Sequence, residues 1–187
     1  IARGFRGNPL KRVALEWNAR KIAQLERRLV DASALVVTLT DHDADQLRAL
    51  RPDPAALDTL VLPPGYHGPR VAARVIDASV PRRVVMLGSV RWVAKQMNVA
   101  AFIDAADQRF AKAGITLDII GDTPESFEAR WGNALHATRF RGFVADVQAE
   151  LAAARIGLMI EATGGGFKLK ILDYLYNRVP VFALAGS

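Results

Sequence analysis

The 187-residue chain has no cysteine, which excludes a disulfide framework, a thiolate metal site and a cysteine nucleophile. No apolar run approaches the ~20 residues that a bilayer-spanning helix needs. The arginine-studded start lacks the apolar stretch of a signal peptide, and with the missing thiols this leads us to expect a cytoplasmic protein. Neither a GxGxxG fingerprint nor a GxxxxGK[ST] loop occurs, so dinucleotide and P-loop readings lose their main support. There is no GxSxG elbow either. His67 and His136 have no partners at ligand spacing, and no metal site is expected.

What is present is a hydrophobic share of 51% with 24% charged residues, enough for one ordinary domain and too much for a disordered chain. The net charge of +6 is concentrated at one end. Residues 1–30 hold Arg3, Arg6, Lys11, Arg12, Arg20, Lys21, Arg27 and Arg28 against Glu16 and Glu26, which accounts for the whole excess. A nucleic-acid-binding domain spreads its basic face over the fold, so no nucleic-acid partner is expected. The basic segment has two readings. Its charged face is solvated while its apolar positions pack on the next strand, or it rests on an anionic membrane, where each Lys or Arg is worth about 1 kcal/mol.

Lys11 to Val30 carries Val13, Leu15, Trp17, Ile22, Leu25 and Leu29 at helical spacing without proline or glycine, which predicts an amphipathic helix. Ala34–Leu39 reads as a buried strand. Thr40 with Asp43 resembles a capping box opening a helix to about Leu50, and this also explains Asp41, His42 and Asp45 as helix-start residues rather than metal ligands. Leu57–Leu62 is a second strand. Residues 67–81, rich in glycine, proline and small residues, read as a linker between a first part (1–66) and a second (82–187).

The second part alternates strand, glycine turn and helix. Strands are predicted at Arg83–Leu87, Leu117–Ile120, Thr138–Phe140, Ile156–Ile160 and Val179–Leu184. Helices are predicted at Asn98–Ala113, Ser126–Leu135, Val144–Ala154 and Phe167–Asn177. That order gives an α/β fold, a Rossmann-like parallel sheet with helices on both faces. Ligands of such sheets bind at the carboxyl ends of the strands, where Gly88, Gly121, Gly142 and Gly164–Gly165–Gly166 all fall. The triple glycine suits backbone approach to a phosphate, or is simply a flexible turn. Lys95, placed in the loop after the first strand of this part, either neutralises a phosphate or is solvated. Lys168 and Lys170 stand where a helix start disfavours positive charge, a cost that an anionic ligand would relieve. The chain opens on Ile1 and its last strand stops before any covering helix, so it reads as a piece of something larger.

Four stretches of the second part resemble the donor-binding domain of GT-B glycosyltransferases, especially the retaining glycosyltransferase family 4 group. They are Val84–Ser89 with Lys95, Leu117–Asp122, Phe140–Val144 with Asp146, and Gly164–Asp173 followed by Val179–Pro180–Val181. Residues 16–66 look like the closing part of the acceptor-side domain. The resemblance implies an incomplete GT-B C-terminal domain with a remnant of the N-terminal one. It implies a nucleotide-diphosphate-sugar donor as substrate, no cofactor, and metal-independent transfer with retention to a glycan, lipid or small-molecule acceptor, as in polysaccharide biosynthesis.

Carried over by position, Gly164, Gly165, Gly166 and Phe167 would cradle the donor pyrophosphate and sugar, with Lys168 beside them. Gly88, Ser89, Gly121 and Asp122 would line the site, and Lys95 would neutralise the diphosphate. Asp173 would hold the ribose, and Phe143 and Val144 would lie against the base. Ser89 stands where the family has an arginine, and Gly165 where it has a glutamate. The family's acceptor-side catalytic groups lie outside this sequence, so binding of donor without turnover is expected of it. A non-catalytic assembly or binding module of the same fold is the alternative, and another doubly wound nucleotide-binding enzyme is a third reading with no motif behind it.

Overall fold

The computed structural model describes residues 9–161 and 167–184. The chain divides between Gly65 and Tyr66 into two compact units.

In the first unit, a run free of internal proline and glycine becomes the long helix α1 (Pro9–Ala32), with Pro9 at the position that tolerates it. Strand β1 (Leu35–Thr38) pairs in parallel with β2 (Asp58–Val61), Leu35 opposite Asp58 and Thr38 opposite Val61. Helix α2 (Asp41–Arg48) connects them, and Thr40 caps it by accepting from the Asp43 N–H at 3.0 Å. Arg51 donates to the carbonyls of Val30, Ser33 and Ala56, tying the end of α1 to the turn before β2.

Two expectations fail here. Leu35 and Val37 of β1 are exposed, because α2 is packed against the pair and covers one face only. A β-branched run signals a strand but cannot say that both faces are covered. Likewise α1 contributes Val30 to the core, whereas Leu10, Val13, Trp17, Ile22, Leu25 and Leu29 are exposed rather than packed on the next strand. Periodicity shows a face that can be buried, not what buries it.

The second unit is a five-stranded parallel sheet in the order β5-β4-β3-β6-β7. Its strands are β3 (Arg83–Leu87), β4 (Thr116–Ile120), β5 (Thr138–Gly142), β6 (Ile156–Met159) and β7 (Val181–Ala183). Alternation along the strands feeds two cores. Val84, Met86, Leu117, Ile119 and Leu158 face α3 (Val93–Lys112) and the short α4 (Glu125–Glu128) through Val99, Ile103 and Phe127. Val85, Leu87, Ile120 and Met159 face α5 (Val147–Ala152) and α6 (Lys170–Tyr176) through Leu151 and Tyr174. Helices therefore cover both faces, and the winding reverses between β3 and β6, which is where such sheets open a crevice. Gly157 lets α6 approach closely, since a Cβ there would lie 2.7 Å from the Tyr174 ring.

Buried charge locks the α5 face. Arg83 bonds Asp118 on the neighbouring strand and Glu150 on α5, and Arg141 reaches the same two carboxylates at 3.2 and 3.3 Å. The segment after Tyr66 is strapped to this unit. Arg74 donates to the Leu151 and Ala152 carbonyls at the end of α5, Val71 N–H bonds the Tyr176 carbonyl, and Tyr66 stacks on Tyr176 at 4.3 Å.

Candidate functional site

At the carboxyl ends of β3, β4 and β5 lies a cavity of about 420 Å³. Its walls include Gly88, Ser89, Gly121, Asp122, Phe143, Val144, Lys170 and Asp173. A second cavity of about 410 Å³, beneath α3, is lined by apolar side chains with Arg109 as its one charged residue. The first has the polar groups that orient a ligand.

The loops forming its floor are held by specific contacts. Val90 N–H bonds the Asp122 carbonyl at 2.8 Å, and the Arg91 guanidinium pairs with the Asp122 carboxylate. Gly121, at φ +134°, lies against the turn after β3. A Cβ at 121 would come within 2.7 Å of the Gly88 carbonyl carbon, so only glycine lets the two turns meet. Phe143 is 92% exposed at the cavity mouth, where it can offer a flat apolar face.

Lys95 is not in a loop. Helix α3 begins at Val93, five residues before the expected start, and places Lys95 in its first turn. Trp92 caps the helix without a side-chain bond, so no capping residue marked this start in the sequence. The Lys95 ammonium stands over Gly88, 3.0 Å from where a Cβ would be, and 4.0 Å from Oε1 of Glu161. Burial, then the nearby Lys170, pushes its pKa down to about 8, partly offset by Glu161.

Helix α6 also starts later than expected, at Lys170 rather than Phe167. Leu169 offers no side-chain cap, and the helix opens where Asp173 falls in its first turn, where a carboxylate is favoured. Phe167 and Lys168 precede it, half-buried. Gly164, Gly165 and Gly166 lie outside the described residues.

Lys170, singled out in the sequence as a cation that an anionic ligand would relieve, lines the cavity, whereas Glu161 and Tyr66 joined the site unannounced. Glu161, buried just past β6, accepts a hydrogen bond from Lys170. Tyr66 bonds the Asp173 carboxyl, whose pKa rises because burial outweighs that bond. The proximity of Tyr66 to Asp173 depends on the chain returning over 107 residues, which no local pattern encodes. The structure thus brings eight of the residues carried over by position into one crevice: seven on the cavity wall and Lys95 above Gly88. Among the described residues no cluster of three or more His, Asp or Glu could hold a metal ion, and no helix is long and apolar enough to cross a membrane.

A family model described as "Glycosyl transferases group 1" matches residues 81–186. No curated protein sequence matches significantly. Among solved structures, the pneumococcal O-GlcNAc transferase GtfA, in complex with UDP and GlcNAc, superposes with a TM-score of 0.63 at 16% identity, over 84% of this chain and 31% of that one. A variant of S. aureus TarM, also holding UDP, gives 0.62 at 12% identity over 83% and 30%. Anabaena HepE with UDP and glucose gives 0.59 at 15% identity over 86% and 48%. At these identities the likeness is one of fold, and the chain spans between about a third and a half of those proteins.

Proposed function

Since the chain belongs to the glycosyl transferases group 1 family, we propose that its second unit binds a nucleotide-diphosphate-sugar and that the protein transfers the sugar to an acceptor. The observation that carries this reading is the convergence of Lys95 and Lys170 beside Gly88 at the point where the sheet reverses its winding. Transfer requires a departing diphosphate to be stabilised as its charge develops. Two ammonium groups fixed on separate helices supply that charge with no reorganisation at the moment of reaction.

Within the crevice, Lys95 and Lys170 meet the diphosphate, with Lys168 alongside. Asp173, oriented by Tyr66, accepts from the ribose hydroxyls. Phe143 and Val144 take the base. Arg91 does not replace the arginine that the resemblance would put at Ser89, because Asp122 already engages it. The reaction we infer proceeds with retention and without a metal ion, since these cations suffice to neutralise the leaving group. The acceptor is a glycan, lipid or small molecule.

Calorimetric titration with UDP and GDP, in the presence of a chelator, tests the donor site. Binding of one of them that is lost in Lys95→Met supports the proposal. Absence of binding to any nucleoside diphosphate favours the non-catalytic assembly module instead. The anomeric configuration of the product, read by NMR from the whole protein with its acceptor, decides between retention and inversion.

Helix α1 supports a second contact. Its exposed Leu10, Val13, Trp17, Leu25 and Leu29 are interleaved with basic residues, and Lys21 sits 3.4 Å over the Trp17 ring. Such a helix suits the surface of an anionic membrane, giving a cytoplasmic protein peripheral on the inner face. Co-sedimentation with anionic but not neutral liposomes is the expected result.

A further inference from the structure

The crevice contains one carboxylate whose position the donor reading leaves unexplained. Glu161 lies two residues past β6 at the sheet's carboxyl edge, 8% exposed, and its Oε1 faces two ammonium groups at once. Lys170 comes from α6 on one face of the sheet and Lys95 from α3 on the other. The second oxygen, Oε2, is buried and has no hydrogen-bond partner among the described residues. A carboxylate satisfied on one side only is costly in a buried setting, and a purely structural ion pair has no need of that arrangement.

We propose that Glu161 is the positioning residue of the donor site, holding Lys95 and Lys170 together across the gap between β3 and β6 so that both reach one phosphate chain. Without it, the two like charges repel unopposed and Lys95 gives up its proton more readily. Oε2 is the remaining acceptor, available to a hydroxyl or to Lys95 itself when the ligand is seated.

Among the described residues, the charged groups facing Lys95 come from two elements. Lys170 and Lys168 come from the α6 side, Glu161 from just past β6, and the Gly88 backbone from the turn after β3. The Tyr174 hydroxyl is neutral and buried, its pKa pushed up by burial. Residues 162–166 carry no charge in the sequence. Glu161 is therefore the nearby anion that keeps Lys95 protonated.

The test is a titration of protein labelled with ¹³C at the lysine ε carbon, with the Lys95 signal assigned through Lys95→Met. In Glu161→Gln the Lys95 midpoint is expected to fall by about half a unit to one unit, because a single charge at this distance has that leverage. An unchanged or raised midpoint overturns the proposal. Lys170→Met supplies the converse: with its repelling neighbour gone and Glu161 free to turn to it, the Lys95 midpoint rises. A fall there overturns the proposal as surely, should Glu161→Gln not fold.

UDP calorimetry adds the functional arm. The loss of affinity between about pH 6.5 and about pH 9 is expected to be about three- to tenfold larger in Glu161→Gln than in the native protein, and Glu161→Asp restores most of it. This inference rests on the donor-site reading for its ligand. If the native protein does not bind UDP, that reading fails, while the lysine titration still decides the role of Glu161.

Discussion

The hydroxyl of Tyr174 accepts a hydrogen bond from the backbone N–H of Leu87 at 2.8 Å. β3 and β6 pair only as far as Val85 and Gly157, so the Leu87 N–H on that side has no strand carbonyl to meet. The tyrosine of α6 takes that place and holds the floor of the crevice where the two strands part. Tyr174→Phe leaves a buried donor unsatisfied, and a loss of about 1–3 kcal/mol in stability is expected. Thermal unfolding of the variant against the native protein measures it.

Gly121 predicts a loss of a different kind. Its positive φ and the 2.7 Å approach to Gly88 mean that a methyl group there meets backbone, which cannot turn aside as a side chain would. Gly121→Ala is expected to cost about 2 kcal/mol or more and to displace the turn carrying Gly88. UDP affinity, measured by calorimetry on folded protein, falls with it.

The fold was legible in the sequence where chemistry repeats locally. Apolar runs ending in glycine placed every strand of the second unit within about three residues, and the order of elements required a parallel sheet. The crevice followed, because ligand sites in such sheets lie at strand ends, and the glycines marked those ends. What could not be read was decided by partners distant in sequence. The true starts of α3 and α6 have no capping side chain to announce them. Glu161 carries no local signal, since its meaning comes from two lysines, 66 and 9 residues away, that converge on it. The exposure of β1 and of the apolar stripe of α1 depends on what covers them, and periodicity carries no information on that.

Asp107 makes acid stability a test of the α3 side. Its carboxylate accepts from the N–H groups of His136, Ala137 and Thr138 at 2.8, 3.1 and 2.8 Å, fixing the start of β5 to α3. Burial pushes its pKa upward, but these bonds outweigh burial and hold it below the usual carboxylate range. A carboxyl more acidic in the folded chain than in the unfolded one contributes its full stability above the unfolded value, near 3.9. That contribution disappears as pH falls through the folded value. Asp107→Asn is expected to lose about 2–4 kcal/mol at neutral pH and to show a shallower decline in acid, both read from denaturant unfolding curves.

Lys95 predicts how donor binding responds to base. Burial and Lys170 push its pKa down to about 8 in the free protein, and a bound diphosphate favours the charged form. Above about pH 7 the phosphates of UDP are fully ionised, their second pKa being near 6, so the lysine is the group that titrates. UDP affinity is therefore expected to be level near pH 7 and to fall towards tenfold per unit well above pH 8, as each binding event must first protonate Lys95. Lys95→Met removes both the charge and this slope, binding UDP about tenfold or more weakly at neutral pH and with little change up to about pH 9. Without ligand the sign reverses. The unfolded chain holds this proton more tightly than the folded one, so native stability from this group rises as pH climbs from about 8 towards the ordinary lysine value near 10.4. Calorimetry with UDP and unfolding without it, across the same pH range, are expected to run in opposite directions in the native protein and to lose both trends in Lys95→Met.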